Sequence, residues 1–205
     1  MSKNSNIVLA LAKKNKGRIT TKELSARGLR RELLGQLVEE GQLVREAWGI
    51  YRLPEVEPDI YFVLQHACTK AIFSYETALS FHHLITEEVK THISITVPQG
   101  LNISGLKKLC PNLVAHYVQP KNLELGLSEG VSPEGNPILL YNRERCICDI
   151  IKHRRQTSAE TYIQAVQNYF HPEKHTVPKD LRLLQSYAHS YGIESQVYHY
   201  MEFLM

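Results

Sequence analysis

Leu33-Leu34-Gly35-Gln36-Leu37-Val38-Glu39-Glu40-Gly41-Gln42-Leu43-Val44-Arg45, followed by Gly49-Ile50-Tyr51-Arg52, decides how the first part of this chain folds. The apolar residues up to Val38 recur at helical spacing, and Gly41 supplies the stop. Two short apolar runs then flank Glu46-Ala47-Trp48-Gly49, which reads as a β-hairpin. A helix running straight into a hairpin is the end of a winged helix-turn-helix.

Upstream, Ile7, Val8, Leu11 and Ala12 form one face of a first helix that ends at Gly17. Arg18-Ile19 reads as a short extended piece. Thr20 or Thr21 caps a second helix carrying Leu24 and Ala26 inward, and Gly28 makes the turn into a third helix from about Leu29 to Glu40. On a wheel of about 100° per residue, Leu29, Leu33, Leu34, Leu37 and Val38 share one arc while Arg31, Gly35 and Gln36 lie opposite with Glu32 and Glu39. Arg31 and Gln36 are side-chain types that read base edges in a major groove. Gly35 costs about 1 kcal/mol relative to alanine inside a helix, which close approach of a DNA backbone would justify.

Charge separates this head from the rest. Residues 1–53 hold eleven Lys and Arg against five Asp and Glu, a net +6, whereas the remainder holds 13 against 16, a net −3. A basic head on a mildly acidic body is the footprint of a nucleic-acid reader joined to another unit. Candidate DNA contacts are Lys3, Lys13, Lys14, Lys16 and Arg18 around the first helix, and Lys22 on the second. Arg27, Arg30, Arg31 and Gln36 follow on the third helix and its approach, with Arg45, Trp48 and Arg52 on the hairpin.

Pro54-Glu55-Val56-Glu57-Pro58-Asp59 reads as a linker, giving a head at 1–58 and a body at 59–205. In the body, helices are expected at 60–73, 74–84, 143–154, 158–170, 178–191 and 194–204. Strands are expected at 92–97, 114–118, 123–127 and 138–141, with 128–137 joining the last two. The fold class is α+β: a winged helix-turn-helix followed by a mixed α/β domain that ends in a helical bundle.

Catalytic and metal motifs are weak. Cys146 and Cys148 are spaced as Cys-x-Cys in a helix, where their side chains diverge, and the four cysteines read as small apolar fillers. His82-His83 are adjacent and cannot easily chelate one ion, and no phosphate-cradling or nucleophile-elbow glycine motif occurs. Pro58-Asp59 with Glu88-Val89-Lys90 fits a metal-dependent nuclease pattern on paper, the main enzymatic alternative. Such a site needs its carboxylates on adjoining strands, whereas Asp59 sits at a linker–helix junction. The reading is therefore no enzyme and no cofactor. Arg145 and Asp149, at i and i+4, read as an intrahelical ion pair worth a few tenths of a kcal/mol. Lys152, Arg154 and Arg155, extended by Lys174, Lys179 and Arg182, form the basic cluster of the body. No apolar run reaches the roughly 18 residues of a membrane span, and the N-terminal apolar run is too short for a signal-peptide core; a cytoplasmic location is expected.

The head resembles the N-terminal domain of the AbiEi family, the antitoxin half of bacterial abortive-infection type IV toxin–antitoxin systems. The residues that carry the likeness are 37–45 (Leu-Val-Glu-Glu-Gly-Gln-Leu-Val-Arg) and 48–53 (Trp-Gly-Ile-Tyr-Arg-Leu). In the body, Ser74-Tyr75-Glu76-Thr77-Ala78-Leu79 with His82-His83-Leu84, then Ile93-Ser94-Ile95-Thr96-Val97-Pro98, are similar to the family's next helix and strand. Arg143-Glu144-Arg145-Cys146-Ile147-Cys148-Asp149-Ile150-Ile151 is similar to a later helix, with Cys where Thr is more usual. The resemblance implies a head that represses its own operon and a body that neutralises a toxin; inverted repeats in the promoter, read by two copies, are the expected target. It implies that this toxin is nucleotidyltransferase-like, encoded by the neighbouring gene, and countered without a stable complex. The body's basic cluster reads either as a solvated helix end, where cations suit the helix dipole, or as a functional surface that serves the antitoxin activity or touches DNA.

Overall fold

The computed structural model describes residues 3–86, 92–171 and 179–203. Two compact units emerge, one comprising residues 1–67 with 131–138, the other 68–130 with 139–205.

The first unit follows the order α1 (Lys3–Lys14), β1 (Arg18–Thr20), α2 (Thr21–Ser25), α3 (Glu32–Glu39), β2 (Val44–Ala47), β3 (Ile50–Arg52), α4 (Ile60–Ala67). The strands form one antiparallel sheet in the order β1-β3-β2. Val8 and Ala12 of α1, Ile19, Leu24, Leu34, Leu37, Leu43 and Leu53 make its core. Leu29, Leu33 and Val38 pack against it, so the expected inward arc of α3 is the inward arc; Ile7, expected inward, is 39% exposed. Thr20 caps α2 reciprocally: its hydroxyl accepts from Glu23 N (3.2 Å) and the Glu23 carboxylate accepts from Thr20 N (2.8 Å). Gly17, at φ +80°, lets the chain leave α1, and a Cβ there would fall 2.2 Å from Val56 Cγ2.

Helix α3 starts three residues later than its apolar pattern suggests. Nothing in Arg27-Gly28-Leu29-Arg30-Arg31 offers a capping oxygen, and no side chain caps the helix at Arg31. Gly28 adopts φ +69°, so the segment runs as a turn and not as a first helical turn.

The unit also extends past the sequence-based boundary at residue 58. Asp59, 2% exposed, caps α4 by accepting from Phe62 N (3.0 Å). Its other oxygen accepts from Ser132 Oγ (2.6 Å) and Asn136 Nδ2 (2.7 Å). One buried carboxylate thus ties α4 to residues 131–138.

The second unit contains β4 (Ile72–Phe73), α5 (Tyr75–Phe81), β5 (Ile93–Pro98), α6 (Ser104–Leu109), β6 (Leu113–Val118), most of β7 (Leu127–Val131) and β8 (Pro137–Tyr141), α7 (Arg143–Lys152), α8 (Ala159–Phe170), α9 (Leu181–Tyr191) and α10 (Glu194–Phe203). Its sheet has the order β6-β5-β4-β8-β7, with β5 and β6 parallel, β4 antiparallel to β5 and parallel to β8. The chain therefore has mixed α/β content and a helical C-terminal end.

Two expectations for this unit need correction. The helix expected to run to Phe73 stops at Ala67, because Ile72 and Phe73 form a strand held between β5 and β8; a short apolar run is compatible with either state. The strand expected at 123–127 forms instead at Leu127–Val131. Ahead of it the carbonyls of Asn122 and Leu125 accept from Arg145 Nη1 (3.0 and 2.6 Å) and that of Leu123 from Tyr141 Oη (2.9 Å), leaving the strand to begin at Leu127. Helix α6 carried no sequence expectation. Among the described residues, no helix is long and apolar enough to cross a membrane.

Candidate nucleic-acid interface

The side chains proposed to meet DNA divide into three groups. Lys3, Lys13, Lys14, Lys16, Lys22, Arg27, Arg30, Arg31, Gln36 and Arg45 are exposed. Arg52 is half-buried and donates from Nη1 to the Val56 carbonyl (2.6 Å), so it braces the chain leaving β3. Arg18 is corrected: at 2% exposure it is internal, with Nε 3.2 Å from Glu46 Oε2. So little of its surface is exposed that it has almost none to offer a phosphate in the folded unit.

On α3 the outward residues are Glu32, Gly35, Gln36 and Glu39. A Cβ on Gly35 would meet nothing within 4 Å, so internal packing does not require glycine there. Arg31 lies just before the helix, its Nε 3.3 Å from Ser25 Oγ on α2, which holds it at the α2–α3 turn. Beside it, Gly28, Leu29, Arg30, Gln36 and Asn4 border a depression of about 440 Å³. Asn4 carried no sequence expectation, because a lone polar residue near a terminus gives no periodic signal.

At the hairpin, Trp48 is 86% exposed and the Arg45 guanidinium stacks over its ring, 4.9 Å from the centroid. A large indole held in water by the tight turn at Gly49 (φ +74°) is pre-set for contact. Substitution of Gly49 is strained on two counts, since a Cβ would also sit 2.8 Å from Thr21 Oγ1.

In the second unit, Lys152, Arg154, Arg155 and Arg182 are exposed. Lys152 Nζ stands 4.4 Å from the Tyr191 ring centroid, and Arg154 Cζ 4.3 Å from that of Tyr162. Lys179 donates to the Phe170 carbonyl at the end of α8 (2.8 Å). Lys174 lies outside the described residues.

The nuclease pattern loses one member to structure: the Asp59 carboxylate is buried and taken up by Ser132, Asn136 and Phe62 N, while Glu88 lies outside the described residues. Among the described residues, no three His, Cys, Asp or Glu side chains are arranged to hold a metal ion. Cys146 and Cys148 are buried free thiols, and burial pushes the Cys148 thiol up to about 12, far from a reactive thiolate.

Polar residues do gather within the second unit, around the Ser74–Thr77 stretch. Tyr75, at φ +47°, stacks on His116 with ring centroids 3.6 Å apart, and its hydroxyl lies 2.8 Å from His153 Nδ1. Burial pushes the His116 imidazole down to about 4, with Glu76 opposing and His153 and His92 reinforcing the shift; burial lowers His82 as well. A histidine whose folded value is depressed binds its proton mainly when unfolded. Stability is therefore full above about 6.5 and falls as pH drops towards 4. Between pH 7 and 5 this one group should cost about 1–2 kcal/mol, allowing for partial screening. Urea unfolding at the two pH values measures it, and His116→Gln should flatten the difference. An unchanged pH dependence in that variant would assign it elsewhere.

Residues 6–54 match the family model described as transcriptional regulator, AbiEi antitoxin. Among curated protein sequences no significant match is found. Among solved structures, the RV2827C protein from Mycobacterium tuberculosis superposes with a TM-score of 0.56 at 16% identity, over 89% of this chain and 70% of that one. That likeness concerns the fold.

Proposed function

We propose that this chain, whose residues 6–54 match the model of the AbiEi antitoxin transcriptional regulators, represses its own promoter through the first unit and counteracts a toxin through the second. Helices α2 and α3 act as the helix-turn-helix and the β2–β3 hairpin as its wing, with two copies reading inverted repeats. Arg31 and Gln36 contact base edges. Lys3, Lys13, Lys14, Lys16, Lys22, Arg27 and Arg30 grip phosphates, while Arg45 and Trp48 follow the adjacent groove. The toxin is a nucleotidyltransferase-like protein from the neighbouring gene, countered without a stable complex. The chain itself is no enzyme, takes no cofactor and works in the cytoplasm.

One observation carries this reading: the cations concentrated in residues 1–53 are, Arg18 and Arg52 excepted, exposed around a helix–turn–helix–hairpin with its own core. A mobility-shift titration against upstream and unrelated DNA tests it. Arg31→Ala and Gln36→Ala should each narrow the affinity ratio between the two DNAs by about five- to a hundredfold, the equivalent of about 1–3 kcal/mol per base contact. Equal affinity of the unaltered protein for both DNAs would defeat the proposal.

Division of labour gives a second test. A fragment ending at Ala67, which keeps α4 and its cap from Asp59 but loses the hydrogen bonds of Ser132 and Asn136 to that carboxylate, should retain operator binding and fail to protect cells from the toxin. Charge reversal at Lys152, Arg154 and Arg155 should impair protection more than DNA binding. Full protection by the fragment, or loss of DNA binding with protection intact, would reverse the assignment.

A further inference from the structure

Arg18 has more donors than partners. Its Nε meets Glu46, Nη2 donates to the Glu57 carbonyl, and Phe62 lies 5.9 Å from Cζ. Nη1 is screened from solvent and has no hydrogen-bond partner. An unmet buried donor is costly, more so on a charged group, and such orphans call for an acceptor.

Arg18 forms part of the lining of a depression of about 270 Å³, just below the size of common small-ligand pockets of about 300–1,000 Å³. Lys14 and Lys16 bring two more cations to it, the Lys16 ammonium donating one of its three N–H bonds to the Gly135 carbonyl; Asn15 and Asn136 also line it, their amides donating to Glu23 and Asp59. The one acid in the lining, Glu23, already accepts from Asn15 Nδ2 (2.7 Å), Thr20 N and Thr20 Oγ1 (both 2.8 Å). Three cations therefore face a carboxylate whose oxygens are engaged. No residue of α3 takes part. Arg18 is nonetheless tied to the hairpin, because Glu46, its ion-pair partner, belongs to β2.

We propose that this depression binds a small oxyanion, the phosphate or carboxylate group of a metabolite, with Arg18 Nη1, Lys14 and Lys16 as donors, and that its occupancy is transmitted to the β2–β3 hairpin through Arg18 and Glu46. A planar guanidinium flanked by ammonium groups suits an oxyanion and disfavours a neutral ligand. The site stands without the DNA-binding reading; only the use of the hairpin as a wing rests on that proposal.

The full-length protein supplies two reporters that need no DNA: the Arg18 Nε–H resonance at the site, and Trp48, the single tryptophan, at the hairpin tip. Inorganic phosphate and succinate are titrated separately at constant ionic strength against sodium chloride. Saturable changes in both reporters with phosphate or succinate, absent with chloride, are expected. Lys14→Gln and Lys16→Asn should each weaken binding about five- to tenfold, whereas Lys13→Gln should not. Arg18→Lys removes Nη1 directly, and the two lysine variants remain decisive if it fails to fold. Changes that never saturate, or that Lys13→Gln weakens equally, would reduce the effect to diffuse charge and overturn the proposal. So would an Arg18 response to duplex DNA with none to either small anion, which would make the depression a seat for a backbone phosphate.

Discussion

Asp149→Ala should destabilise the second unit by about 3–5 kcal/mol, a large part of the about 5–15 kcal/mol that holds a typical domain together. Arg145 and Asp149 are 1% and 4% exposed in their side chains, and Arg145 Nε reaches Asp149 Oδ1 and Oδ2 at 3.0 and 3.1 Å. Its Nη1 serves the carbonyls of Asn122 and Leu125, and its Cζ lies 4.1 Å from the Tyr141 ring centroid and 4.8 Å from that of Tyr191. Removing the carboxylate strands a guanidinium that cannot shed its proton. The reverse change, Arg145→Met, leaves a carboxylate that can become neutral, and burial already raises the Asp149 carboxyl above its ordinary value. A raised carboxyl imposes its penalty in full above its folded value and loses it as pH falls towards the unfolded value. The cost of Arg145→Met should therefore shrink between pH 7 and 5, while that of Asp149→Ala should hold. Urea unfolding at the two pH values separates them. A loss below about 1 kcal/mol for Asp149→Ala would mean that the pair is wet and behaves as an ordinary surface ion pair.

That pair also marks the limit of what the sequence discloses. The spacing of Arg145 and Asp149 makes the contact legible, but spacing carries no information on burial, and an i,i+4 pair is usually solvated. The available signal was the run Cys146-Ile147-Cys148 with Ile150-Ile151, which leaves α7 no solvent face; every residue from Arg143 to Ile151 is buried. Strand β5 behaves similarly. Its alternation announces a strand, yet its polar members Ser94 and Thr96 are internal, bonded to Glu76 and Ser74. In the head, the arc of Leu33, Leu34, Leu37 and Val38 fixes the inward face because helical period and burial coincide there. Arg18 breaks that rule: as a cation in a three-residue strand it has no periodicity to betray that it points inward. Residues 131–138 join the first unit through hydrogen bonds to Asp59, a long-range partnership that local pattern cannot encode.

Operator affinity should fall by about 10³–10⁵ between 50 and 200 mM salt, the loss expected when about six to ten phosphates are neutralised. The head exposes Lys3, Lys13, Lys14, Lys16, Lys22, Arg27, Arg30, Arg31 and Arg45, and with two copies on an inverted repeat, half of these contacts suffice. Each phosphate contributes about −0.9 to the slope of log affinity against log salt. Lys13→Ala, at the exposed end of α1, should thus make the slope shallower by about 1 for each bound copy and weaken operator and unrelated DNA alike. Arg45→Ala should do the same and also free Trp48 from the guanidinium now stacked on it. Arg18→Gln is the informative control. Its charge is already paired internally with Glu46, so its loss should lower stability and leave the salt slope of the folded protein unchanged. A slope shallower than about −3 for the unaltered protein would leave too few phosphate contacts for the proposed docking. A slope that changes with Arg18→Gln as much as with Lys13→Ala would mean that the buried arginine emerges to meet DNA.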